Sequence, residues 1–137
     1  MKIITLFASL LASCFAMGEV AVVVHPSSAI ESLSNDEVSR LFLGKTKNFP
    51  NGSLAVPINQ DEGEAARAQF IETACRKNAS QYKAYWSQLV FTGKGTPPKD
   101  GGNDAEVKNL VSTNPNMIGY IDAKLVDASV KVVFKIP

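Results

Sequence analysis

The sequence predicts an α/β fold, a mixed and mainly parallel sheet flanked by helices, on three observations. Val20 to Val24 is a run of apolar, mostly β-branched residues with no polar alternation, as in a strand covered on both faces. Beyond it, segments of helical periodicity alternate with short apolar runs, the order expected of strands joined by helical crossovers, with room for one reversed strand at an edge. Finally VPINQDEGEAARAQF, Val56 to Phe70, passes from a short apolar strand through a Gly-centred turn into a helical pattern. A chain of 137 residues, 45% of them hydrophobic, can bury a core but has room for one domain only.

The chain opens with MKIITLFASLLASCFAMG, one lysine followed by an apolar run too short to span a bilayer and then by small residues. That is the pattern of a secretory signal peptide over residues 1–18, cleaved after Ala16 or Gly18, with the α/β domain at 19–137. LASC, Leu11 to Cys14, resembles a bacterial lipoprotein box with Cys14 as the acylated residue, but its hydrophobic region is short and ordinary cleavage is the better reading. The expected location is periplasmic. Loss of Lys2 leaves 13 of the 14 basic residues against 13 acidic ones, and a chain of no net charge is a poor nucleic-acid binder. Loss of Cys14 leaves Cys75 alone, so no internal disulfide can form, and its place on a helical pattern makes it a small buried hydrophobe rather than a reactive thiol.

His25-Pro26 ends the first strand and sets Ser27 and Ser28 at its carboxyl end, where ligands gather in open α/β sheets; turn chemistry alone also accounts for both serines. His25, with no nucleophile or ligand-spaced partner, is a weak catalytic candidate. In SNDEVSRLFLGK, Ser34 and Glu37 have capping-box spacing, Val38, Leu41 and Phe42 form one apolar face, and Gly44 stops the helix. Asn51-Gly52 then turns the chain into the strand at Ala55 to Ile58.

At the junction that follows, Asp61 and Glu64 again have capping-box spacing, so the helix is expected to start near Glu62 and to run to about Lys77. Unpaired amides at a helix start form an anion site, and Gly63 would let a ligand approach the backbone. The commoner outcome at such a junction is that Asp61, Glu62 and Glu64 fill those donors with their own carboxylates. Arg67, one turn inside, can bend back over the junction.

Asn78 starts a further helix with Tyr82, Tyr85, Trp86, Leu89 and Val90 at helical spacing, an aromatic stripe that reads as core. Thr92 to Asn103 is rich in Gly and Pro and reads as a long irregular loop. It is not a phosphate-cradling P-loop, because Thr96 runs into Pro97-Pro98 where that pattern needs a helix. Asn103 and Glu106 cap the last helix, and Met117 to Ile121 and Val130 to Ile136 read as two further strands.

Several of these segments together resemble the phosphate-binding component of bacterial phosphate ABC transporters, a type II periplasmic binding protein. LSNDEVSRLFLGKTKNF is similar to that family's helix, IFxGK and aromatic segment, and VPINQDEGEAARAQF to its V-x-R-x-D-G-S-G-T segment followed by Phe. YWSQLVFTGKG resembles its tryptophan and glycine-rich stretch, and NPNMIGYID its "tpgaIGYve" stretch. The resemblance implies a single periplasmic-binding-protein-like lobe, whereas the family carries a second lobe that closes over the anion. Aligned on Gly63 and Phe70, the family's Arg becomes Gln60, its Asp becomes Glu62, and its Ser-Gly-Thr becomes Glu64-Ala65-Ala66. Charge-assisted donors are thus replaced by an amide, a carboxylate and methyl groups, and Glu64 would repel phosphate.

Two functions follow as expectations. One is an exported solute-binding-like protein taking phosphate or another small oxyanion at the junction, with Gln60, Glu62, Gly63, Glu64, Arg67, Ser27, Ser28 and Thr96 as candidate ligand-binding residues. The other is a ligand-free interaction or sensory module that docks on a membrane receptor or transporter. With one histidine and one cysteine left after the leader, the chain shows no nucleophile, base and orienter set and no metal-ligand cluster, so neither an enzyme nor a cofactor is expected.

Overall fold

A computed structural model describes residues 18–137, so the expected leader, with Cys14, lies outside the described residues except for Gly18. Five strands, β1 (Val20–Val24), β2 (Val56–Asn59), β3 (Lys99–Asp100), β4 (Met117–Asp122) and β5 (Lys131–Ile136), form one sheet in the order β3-β2-β4-β1-β5. Helices α1 (Asn35–Phe42), α2 (Ala65–Ala74), α3 (Ala79–Phe91) and α4 (Asp104–Thr113) cover it.

Each face of the sheet has its own core. Val20, Val22 and Val24 of β1 pack with Ile118 and Tyr120 of β4 beneath α1, α2 and α3, while Ala21 and Val23 face Val107 and Val111 of α4. All five β1 residues are buried, which is why that run shows no polar alternation. The centre of the larger core is aromatic: Phe70 stacks on Tyr120 at 3.9 Å between ring centroids, and Phe42 meets Phe70 edge-on at 4.6 Å.

β2 runs parallel to both β3 and β4, whereas β1 runs antiparallel to β4 and to β5, so four of the five strands share one direction. The mainly parallel sheet is as expected, but its reversed strand is β1, inside the sheet rather than at an edge. The Thr92–Asn103 stretch is not wholly irregular either: Lys99 and Asp100 pair with Ile58 and Asn59 as a short edge strand.

Three helix starts follow their sequences. Ser34, Asn78 and Asn103 each accept from the backbone N–H three residues on, and Glu37, Gln81 and Glu106 bond back to the cap residue's N–H. α2 does not. It starts at Ala65 rather than near Glu62, its cap position is Glu64, and no side chain caps it. Between the strand and this helix, Glu64 N–H donates to Asp61 O at 3.2 Å, with Gly63 at φ +91° in the third position, a four-residue turn that needs a left-handed residue there. Asp61 is turned away to accept from Gly102 N–H at 3.1 Å.

α2 also ends early, at Ala74, with Cys75 as its cap and Arg76 left-handed at φ 54°. Cys75 is a buried free thiol, and burial pushes its pKa up from 9.0 to about 12. From pH 9 to 12 the unfolded chain therefore releases a proton that the folded chain keeps. Stability should fall as pH rises through this window, by up to about 1.4 kcal/mol per pH unit. Burial raises Tyr82 and Tyr120 as well, adding to the loss at the alkaline end. Urea unfolding of the wild type and of Cys75→Ala at pH 8 and pH 10 checks this: the wild type should lose more, and equal losses would refute a buried neutral thiol.

Candidate functional site

The parallel strands β2 and β4 start together at Val56 and Met117 and end on the same side of the sheet, and the chain leaves β2 through Asn59 and Gln60 into the turn at Gly63 and then α2. Asn59 and Gln60 are the two buried polar residues of the described core, and both are held by partners distant in sequence. Asn59 donates through Nδ2 to the Tyr82 hydroxyl at 3.0 Å and accepts from the Tyr120 hydroxyl at 2.9 Å. Gln60 N–H donates to that same Tyr120 hydroxyl at 3.1 Å, while its Nε2 donates to Asp104 Oδ1 at 2.7 Å and to Tyr120 O at 2.9 Å. Gln60 is therefore fully buried and bonded into the structure below the turn rather than offered to a ligand.

Arg67 does bend back over the junction. Its guanidinium donates to Gln60 O and to Asp100 Oδ1, both at 2.8 Å, lies 4.0 Å from Glu62, and sits 5.8 Å from the Tyr82 ring centroid. The charge that would hold an anion is thus shared with two carboxylates. Neither Asp100 nor Asn59 was singled out as functional by sequence. Asp100 sits in a stretch that reads as loop, and Asn59 carries no local motif; its one signal is an amide at the end of an apolar strand.

A cavity of about 480 Å³ opens beside this point, lined by Asn59, Glu62, Arg67, Tyr82, Trp86 and Asp100 among others. Gly63, Glu62, Glu64 and Arg67 border a second hollow of about 440 Å³ against the start of α3, and Lys83 lines both. The space above Gly63 is open: a Cβ built there would meet nothing within 4 Å. Glycine at this position answers the turn's positive φ.

Three of the candidate residues are elsewhere. Because β1 is reversed, its carboxyl end lies at Met117 and Val56, opposite the ends of β2 and β4. Ser27 and Ser28 are thus on the far edge of the sheet from Gly63, where the Ser27 hydroxyl is 2.7 Å from His25 Nδ1 and the Ser28 carbonyl accepts from Lys131 Nζ. Thr96 lines a neighbouring groove and not the cavity at Arg67. Gln60, Glu62, Gly63, Glu64 and Arg67 are brought together, with Gln60 facing inward. Among the described residues there is no cluster of three His, Cys, Asp or Glu side chains able to hold a metal, and no helix is long and apolar enough to cross a membrane.

No family model matches the chain. It is 23% identical over 109 residues to the phosphate-binding protein PstS of Bacillus subtilis (strain 168), a match covering 74% of this chain and 30% of that protein. Among solved structures it resembles a protein of Clostridium perfringens described as a phosphate ABC transporter substrate-binding protein and solved with bound phosphate. The TM-score is 0.69 at 21% identity, over 85% of this chain and 45% of that one. An ABC-type phosphate transport receptor from Vibrio cholerae gives a TM-score of 0.66 at 16% identity, over 87% and 47%. The chain therefore shares the fold of phosphate ABC transporter substrate-binding proteins over less than half of their length, the extent of a single lobe.

Proposed function

We propose that this chain is an exported, solute-binding-type lobe that takes a small oxyanion, inorganic phosphate first among them, at the β2–α2 junction, and that it binds weakly when alone. The observation that carries the reading is the bare start of α2. Where α1, α3 and α4 each close their first turn with a capping box, α2 leaves its own without a side-chain cap, next to Arg67 and beneath an open Gly63. Docking of such a lobe on a membrane transporter is part of the proposal, by analogy of fold.

Weakness follows from the neighbours of Arg67. A bound phosphate must compete with Asp100 at 2.8 Å and with Glu62 at 4.0 Å for the same guanidinium. Hydrogen bonds to a charged group contribute roughly 1.5–3 kcal/mol each, and few are on offer here. Calorimetric titration of the monomer with phosphate should give a dissociation constant on the order of millimolar or weaker. Asp100→Asn, which releases Arg67, and the double change Glu64→Ser with Ala66→Thr should each tighten binding, and Arg67→Ala should abolish it. If Arg67→Ala binds phosphate as the wild type does, the site is elsewhere.

The second reading, an interaction module that keeps the lobe without a ligand, is favoured by that same ion pair: an arginine already neutralised by Asp100 needs no anion. The titration separates the two, because this reading expects no phosphate binding by the wild type and none by Asp100→Asn.

A further inference from the structure

Beside the cavity at Arg67 lies a longer groove of about 970 Å³, between the α1–β2 connection on one side and the end of α3 with the Thr92–Pro98 loop on the other. Four lysines, Lys45, Lys47, Lys94 and Lys99, line it, and no aspartate or glutamate does. All four are exposed, and none forms an ion pair among the described residues. In a chain with 14 basic and 13 acidic residues, a groove holding four of the first and none of the second is a local concentration of uncompensated charge.

The floor between these lysines is apolar. Leu43 and the Trp86 indole are buried in it, while Val56 and Val90 keep 37% and 52% of their surface exposed at its margin. The groove runs along β2 from Val56 to Ile58 and does not include Asn59, Glu62, Gly63 or Arg67, so it is separate from the proposed oxyanion site. It shares Trp86, Val90, Pro97 and Pro98 with the cavity at Arg67.

We propose that this groove docks an acidic segment of another polypeptide, in which carboxylates alternate with apolar side chains. The lysine rim selects negative charge, and the apolar floor selects a chain that carries hydrophobic side chains between its charges. A flat anionic membrane fits less well, because the apolar residues lie inside a concavity and Trp86 is 5% exposed. A second copy joined about a two-fold axis through this groove would set its lysines against their own kind. The proposal is independent of any oxyanion at α2.

The experiment titrates the ¹⁵N-labelled protein with a short synthetic peptide of alternating glutamate and leucine, and in parallel with one of alternating lysine and leucine. The acidic peptide should give saturable shifts centred on Lys45, Lys47, Lys94, Lys99 and the Trp86 indole, and the basic peptide none. Raising salt from about 20 to about 300 mM should weaken binding at least tenfold, since the charges are exposed. Replacing all four lysines with glutamate should weaken it at least tenfold and transfer the preference to the basic peptide, with the protein still folded because these side chains lie on the surface. The proposal is overturned by any of the following: no saturable binding at millimolar peptide, equal binding of the two peptides, shifts centred on Lys108 or Lys135, lysine-dependent binding to phosphatidylglycerol vesicles without peptide binding, or lysine-dependent dimerisation.

Discussion

Trp86→Ala should destabilise the protein by about 3–5 kcal/mol, the range for removing a large aromatic side chain from a core. The indole is 5% exposed and lies edge-on to Tyr85 at 5.6 Å between centroids. Two glycines make room for it. A Cβ on Gly44 would come within 2.6 Å of its Cη2, and one on Gly95 within 3.2 Å of its Cζ3. Gly44 follows α1 and Gly95 follows α3, so one side chain fixes the distance between two helix ends and the loop that leads to β3. Removing it empties the space against both glycines and joins it to the cavity and the groove that Trp86 lines. Trp86→Phe should retain part of the stability, since a ring still occupies the centre of the space. Urea unfolding measures both, and an alanine variant that unfolds at the wild-type midpoint would show that Trp86 lies at the surface.

Trp86 and Tyr82 are also where the aromatic stripe of α3 was legible, and where its limits show. Both are buried, as helical spacing predicts, and Tyr85 and Leu89 are partly so, but Val90 is 52% and Phe91 92% exposed. Periodicity marks the face a helix presents. It carries no information on how far the neighbouring elements extend along the helix, and Val90 and Phe91 lie beyond the part of α3 that they cover.

Caps and turns were legible wherever the chemistry is local. Ser34, Asn78 and Asn103 need only a partner three residues away, and Asn51-Gly52 makes its turn with Gly52 at φ 88°. Asp61 and Glu64 show the same spacing with another outcome, because Gly63 bends the chain before the helix can start and Gly102, 41 residues away, claims the Asp61 carboxylate. Strand direction was not legible for β1, since a run of valines is equally apolar read either way. That one reversal removes Ser27 and Ser28 from the site. Gln60 was expected near a ligand from its place in the motif, yet its environment is set by Asp104 and Tyr120, 44 and 60 residues on.

The interaction least visible in the sequence gives the other large effect, with Asn59→Leu expected to cost about 2–4 kcal/mol although it replaces a buried polar residue with an apolar one of similar size. Asn59 is 1% exposed and sits between two tyrosine hydroxyls, donating to Tyr82 and accepting from Tyr120. Tyr82 in turn donates to Phe42 O at 3.1 Å, and the Tyr120 hydroxyl accepts from Gln60 N–H at 3.1 Å, so the amide connects α1, α3, β4 and the exit of β2. Leucine leaves the hydroxyl proton of the fully buried Tyr120 without its acceptor, and a buried unsatisfied group costs about 1–3 kcal/mol. The orphan disappears if its hydroxyl is removed as well. Asn59→Leu with Tyr120→Phe should therefore cost less than the sum of the two single changes, by about 1–2 kcal/mol. Because Gln60 N–H rests on the same hydroxyl and Arg67 holds Gln60 O, the single change should also speed hydrogen exchange at Gly63 and Glu64, loosening the turn that positions the proposed oxyanion site. Urea unfolding of the four proteins in the cycle decides it: strictly additive costs would mean that the Asn59–Tyr120 bond contributes nothing of its own to the stability of the fold.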